Sequence, residues 1–158
     1  MYNINIDPSL SGKNIILLDN DGEKKIGKPG KSNDIPLYGI GLELYFLYIV
    51  ISIEFYKHDV ILNRVNDHHA SVIIKNGTVI LEKIGDSKIM LNGKYLTFVT
   101  QLNHLDRLLF GSSQYFVFYD PKKKQDNDII ATFDMLQDEI ALNSGLKYAD
   151  SKMSQGIL

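Results

Sequence analysis

Apolar residues in this chain fall in short runs separated by glycine, asparagine and aspartate. Residues 70–75 and 78–84 flank Asn76-Gly77, a pair that accepts positive φ at both central positions of a two-residue turn, and so predict a β-hairpin. Residues 89–91 and 94–99 flank Asn92-Gly93 in the same way. Residues 108–110 and 115–119 follow, parted by Gly111-Ser112-Ser113, and Pro121 ends the run because it cannot donate to a ladder. Upstream, residues 14–18 and 23–27 flank Asn20-Asp21-Gly22 and predict a first hairpin. Residues 48–56 predict the longest strand, continuous at first and then alternating through Ser52 and Glu54. Turn signals at this spacing are the rhythm of an all-β sandwich.

Past Pro121 the period changes. Residues 122–127 are a charged linker. Ile129, Phe133, Leu136 and Ile140 then recur at helical steps and predict a helix over residues 128–143. Asp126, Asn127 or Asp128 would cap its start and Gly145 its end. Its apolar stripe must rest on its own sandwich, on a second copy, or on another part of a longer protein. Residues 144–158 carry no signal.

Composition narrows the function. A chain of 158 residues is one domain with a short appendage. The absence of cysteine removes disulfides and thiolate metal sites. A net charge of −2 weighs against nucleic acid. No basic, then apolar, leader opens the sequence. The most apolar window, residues 42–53, is too short to span a bilayer, so a buried strand is expected and membrane insertion is not. The lack of cysteine fits a reducing compartment such as the cytoplasm.

Two stretches invite chemistry. Gly27-Lys28-Pro29-Gly30-Lys31-Ser32 ends like a phosphate loop, but the first glycine of that pattern should stand at position 25, which is Lys25, and no helix follows. The expectation is a cationic loop between strands that can hold an anion through its backbone. His68-His69 invites a metal, but neighbours on a strand face opposite ways, so a solvated loop is expected. No paired carboxylates, no nucleophile beside a base and no metal cluster stand at a usable spacing, so no enzyme and no cofactor are expected.

Residues 91–96 (L-N-G-K-Y-L), 100–111 (T-Q-L-N-H-L-D-R-L-L-F-G), 114–118 (Q-Y-F-V-F) and Asp120-Pro121 resemble the C-terminal half of forkhead-associated (FHA) domains, and most of all those of the kinesin-3 microtubule motors. Asn5-Ile6-Asp7-Pro8-Ser9-Leu10 resembles that family's lead-in. Residues 19–27 resemble its next piece, ending in Ile26-Gly27, and residues 34–42 (D-I-P-L-Y-G-I-G-L) its D-I-x-L-x-G-x-G-I. The resemblance covers residues 3–121 and implies an eleven-stranded FHA sandwich over residues 1–121, with a lead-in at residues 1–13, carried by a longer motor protein.

FHA domains bind phosphothreonine peptides with the loops at one end of the sandwich. The resemblance places the family's Gly-Arg pair on Gly27-Lys28, its Ser-x-x-His on Glu43, Leu44, Tyr45 and Phe46, and its threonine and asparagine on Asp86 and Ser87. Leu105 stands where the family has a glycine. Lysine keeps the charge of arginine but loses its bidentate fork. Glu43 and Asp86 would repel a phosphate carrying nearly two negative charges. The resemblance therefore implies a phosphate-independent interaction module, with a partner site at Lys28, Lys31, Ser32, Glu43, Tyr45, Phe46, Asp86, Ser87 and Lys88. Its expected partner is an adjacent coiled coil, for dimerisation or autoinhibition, or a cargo adaptor. Microtubules would be reached only through the parent motor. The alternatives are a phosphothreonine reader using Lys28, Lys31 and Ser87, and a homodimer assembled through the helix.

Overall fold

The computed structural model describes residues 1–37 and 65–144. The strands are β1 (Tyr2–Ile4), β2 (Gly22–Gly27), β3 (Ile35–Pro36), β4 (His68–Lys75), β5 (Thr78–Lys83), β6 (Ile89–Leu91), β7 (Lys94–Tyr95), β8 (Thr100–Gln101), β9 (Arg107–Phe110) and β10 (Gln114–Val117). Among the described residues they are followed by one α-helix, α1 (Phe133–Asn143). One sheet has the order β1-β10-β9-β6-β7 and the other β3-β2-β4-β5-β8. Both Asn-Gly hairpins form. Asn76 and Gly77 take φ of 52° and 75°, and Asn92 and Gly93 take 50° and 73°, left-handed at both central positions of each turn.

The predicted first hairpin does not form. β2 pairs along its length with β4, while residues 14–16 run antiparallel beside β1, bridged at Ile15 to Tyr2. Ile16 and Leu18 therefore reach the core beside one sheet and Ile26 reaches it from the other. Asn20-Asp21-Gly22 carries the chain between sheets, and Asp21 Oδ2 accepts the Asn76 N–H at 3.2 Å. The predicted strand over residues 48–56 lies outside the described residues.

Alternation along β9 and β10 explains the layering. Leu108, Phe110 and Phe116 face the opposing sheet and pack with Ile26, Val72 and Leu81. Leu109, Tyr115 and Val117 face the other way and meet Ala131, Phe133, Leu136 and Ile140. A sheet covered on both faces needs near-continuous apolar strands, and Arg107–Phe110 and Gln114–Val117 supply them.

The helix is shorter than its sequence pattern. Thr132 is the N-cap, its Oγ1 accepting the Met135 N–H at 3.3 Å, and Asp134 lies in the first turn, where the positive helix end favours it. Asp128 instead ties down the preceding strap: Oδ2 accepts from His104 Nε2 at 2.8 Å and from the Gln125 N–H at 3.1 Å. Ile129 thus precedes the helix and is 69% exposed, so it makes no part of the buried stripe. The β-branched pair Ile129-Ile130 is poor at extending a helix backward. Phe133, Leu136 and Ile140 do pack on the sandwich, and Arg107 grips Glu139 through two bonds, Nε to Oε2 at 2.8 Å and Nη2 to Oε1 at 2.6 Å.

Leu136 is 3% exposed in this layer. Leu136→Ala is expected to lower stability by about 2–4 kcal/mol. Ile129→Ala is expected to stay within about 0.5 kcal/mol of the parent. Urea denaturation of both variants checks the pair.

Candidate functional site

Three loops meet where β2 ends and β4 begins: residues 28–34, 65–67 and 84–88. Gly27 opens the first. A Cβ there would stand 2.2 Å from the Asp67 carbonyl oxygen and 2.6 Å from Asn33 Nδ2, so only glycine lets these loops approach. Asn33 joins them. Its Nδ2 donates to the Lys28 carbonyl at 3.0 Å and to the Asp67 carbonyl at 2.6 Å, and its Oδ1 accepts from His68 Nδ1 at 2.8 Å.

Lys28 and Lys31 converge on one carboxylate. Lys28 Nζ lies 3.1 Å from Asp67 Oδ1, and Lys31 Nζ lies 3.2 Å from Asp67 Oδ2. Hydrogen bonds from the two ammonium groups hold the Asp67 carboxyl below its usual range. The groups remain well exposed, so water and salt screen both pairs. Their effect is to cancel charge.

His69 is fully buried at the root of the site. The expected solvated loop is instead the first turn of β4 into the core: His68 points to solvent and His69 inward, as alternation requires. The ring is satisfied on both sides. Nδ1 accepts the Asn66 N–H at 2.9 Å, which leaves Nε2–H to donate to the Lys88 carbonyl at 2.9 Å. Burial pushes its pKa down from the ordinary 6.5. Asn66 Nδ2 also donates to Ser87 Oγ at 2.8 Å. Two loops far apart in sequence are therefore joined through one histidine and one asparagine.

Of the expected site residues, Lys28, Lys31, Ser32, Asp86, Ser87 and Lys88 lie on these loops, with Ser87 buried, Lys28 partly buried and the others exposed. Glu43, Tyr45 and Phe46 lie outside the described residues. Asn33, Asn66, Asp67 and His69 complete the cluster and are absent from the sequence expectation. One signal for them was present: Asn66-Asp67-His68-His69 has the spacing of the Ser-x-x-His motif and leads straight into an apolar strand. Among the described residues, no three metal-ligating side chains gather. The surface offers ammonium, carboxylate, amide and hydroxyl groups that can form hydrogen bonds.

Two outcomes follow from this geometry. Gly27→Ala is expected to cost about 2 kcal/mol or more, because backbone rather than a flexible side chain must yield; thermal melting reads it. His69 has a depressed folded pKa, so its stabilisation is complete above pH 6.5 and is lost as pH falls below that value. Melting temperature is expected to drop between pH 7 and pH 5, by less in His69→Gln than in the parent.

No protein-family model matches the chain. The human kinesin-like protein KIF14 is 28% identical over 127 residues, spanning 79% of this chain and 6% of that protein. The mouse kinesin-like protein KIF28 is 28% identical over 151 residues, spanning 94% of this chain and 12% of that protein. The chain thus matches a small part of each relative's length. The FHA domain of the CT664 protein from Chlamydia trachomatis superposes with a TM-score of 0.51 at 16% identity, over 75% of this chain and 96% of the other, a likeness of fold. Among the described residues no helix is long and apolar enough to cross a membrane. In sequence the chain is thus similar to kinesin-like proteins, and its fold is that of a forkhead-associated domain.

Proposed function

We propose that this domain is a non-catalytic docking module of a kinesin-like microtubule motor, and that its loop end takes a polypeptide partner without requiring phosphate. The supporting observation is Asp67. Its carboxylate already answers both Lys28 and Lys31. A phosphate entering there would displace or face that carboxylate, and Asp86 stands exposed on the adjoining loop. With the Ser-x-x-His motif read on Asn66 to His69, the acidic neighbour of the lysines is Asp67.

A mixed surface of this kind suits a segment carrying both charges, such as the coiled coil next to the domain in a parent motor, or a cargo adaptor. Docking of the coiled coil would serve dimerisation or autoinhibition, and the parent motor would bring the domain to the microtubule cytoskeleton. The helix stripe of Phe133, Leu136 and Ile140 is occupied by the domain's own sheet, which favours the loop end over α1 as the docking surface.

Titration with a degenerate phosphothreonine peptide library and its unphosphorylated twin tests this reading. Phosphate is expected to give less than about a threefold gain in affinity, since two exposed ion pairs are exchanged for two. Binding confined to the phosphorylated set, and abolished by Lys28→Ala, would make the domain a phosphothreonine reader instead.

A further inference from the structure

We propose that a second copy of this chain adds to the outer edge of residues 13–19, forming an antiparallel, two-fold symmetric strand pair. This surface is separate from the loop end and from α1.

The edge follows from the hydrogen bonding of the lead-in. The Asn3 N–H donates to the Asn14 carbonyl at 3.1 Å, the Ile16 N–H to the Met1 carbonyl at 2.8 Å, and the Met1 nitrogen to the Ile16 carbonyl at 2.7 Å. Asn14 and Ile16 therefore direct their backbone groups toward β1, and Ile15 stands in a non-hydrogen-bonded bridge with Tyr2. In an extended chain alternate residues point opposite ways, so Ile15 and Leu17 direct theirs outward, where no described group bonds them. Residues 14–16 thus run as a short strand outside β1, and among the described residues nothing pairs with its far side.

Side chains match the backbone. Ile16 and Leu18 turn to the core, while Ile15 is 65% exposed and Leu17 is 69% exposed. Natural edges are usually shielded by a charge, a proline or a bulge in mid-strand. Here the middle is Ile-Ile-Leu-Leu with Asn14 before it, and the charges stand at the two ends, Lys13 and Asp19, both exposed.

That arrangement is complementary to itself. Antiparallel pairing about a two-fold axis at Ile16 sets Ile15 against Leu17 of the second copy, twice. These are the residues whose N–H and C=O groups face outward, so each pair exchanges two hydrogen bonds. The four side chains form one apolar cluster on the outer face. The same register sets Lys13 against Asp19 of the second copy, twice. Parallel pairing would oppose Lys13 to Lys13 and Asp19 to Asp19. The charge pattern thus selects an isologous pair, the self-complementary contact that closes at two copies.

The test is sedimentation equilibrium of the 158-residue chain from micromolar to millimolar concentration, with circular dichroism melts confirming that each variant folds. The parent is expected to show reversible dimerisation. Lys13→Asp and Asp19→Lys are each expected to weaken it by about tenfold, because two attractive cross-strand pairs become repulsive. An equimolar mixture of the two variants, or the double variant Lys13→Asp/Asp19→Lys, is expected to restore it. A parent that stays monomeric to millimolar concentration overturns the proposal. So does a dimer that ignores both single reversals, or one that neither the mixture nor the double variant rescues.

Discussion

The His69 ring is the constraint on which the loop end depends. An imidazole with no exposed surface must have both nitrogens met, because an unmet buried polar atom costs about 1–3 kcal/mol. Asn66 meets one and the Lys88 carbonyl the other. The ring also stands edge-on to Phe110, with centroids 6.1 Å apart, and Phe110 stands edge-on to Phe116 at 6.0 Å. The histidine is therefore the last layer of the apolar core and the first layer of the polar end. Its packing places Asn66 over Ser87, and Asp67 then falls within reach of Lys28 and Lys31.

A second network does the same work for the helix. Asn92 leaves its hairpin with Oδ1 accepting the Arg107 N–H at 2.9 Å and Nδ2 donating to Asp106 Oδ1 at 2.8 Å. Asp106 Oδ2 accepts the Asn103 N–H at 2.7 Å. Arg107, held at its backbone, points its guanidinium at Glu139. Leu105 sits beside this network at φ 65°, a left-handed conformation that costs a residue with a Cβ about 1 kcal/mol. Its N–H bonds the Phe118 carbonyl at 2.8 Å, and its side chain packs under the strap before α1. Packing outweighs backbone preference at this position, where the resemblance leads one to expect a glycine.

What was legible in the sequence was local. Asn76-Gly77 and Asn92-Gly93 encode their turns in two residues each, and the positive φ values carry that information directly. The stripe of Phe133, Leu136 and Ile140 could be read from period alone. The helix start could not, because Ile129 fits the same period and only Thr132 Oγ1 meeting the Met135 N–H decides the boundary. The first hairpin misled for a related reason. Asn20-Asp21-Gly22 announces a turn but not the partner of the strand it leads to. That partner is β4, fixed by the long-range pairing of Ile26 with Ala70. The loop end was half legible: cationic residues show in a sequence, but a carboxylate thirty-nine positions from Lys28 does not show as its counter-ion.

The geometry of β2 connects the surfaces. Its Gly22 end lies against the β4–β5 turn, near the chain segment that carries Ile15 and Leu17, and its Gly27 end opens the loop site. Six strand residues separate them, about 20 Å. A partner gripping the loops therefore does not cover the edge, and a second copy on the edge does not cover the loops. Pairing at the edge would present two loop ends on one particle. Two weak grips on a partner that is itself two-stranded, as a coiled coil is, then add through effective concentration rather than through any new contact. This resolves a tension in the site's chemistry. Screened, self-neutralised charges such as Lys28, Lys31 and Asp67 would make each grip weak. Strength would come from the number of grips, which makes attachment reversible one copy at a time.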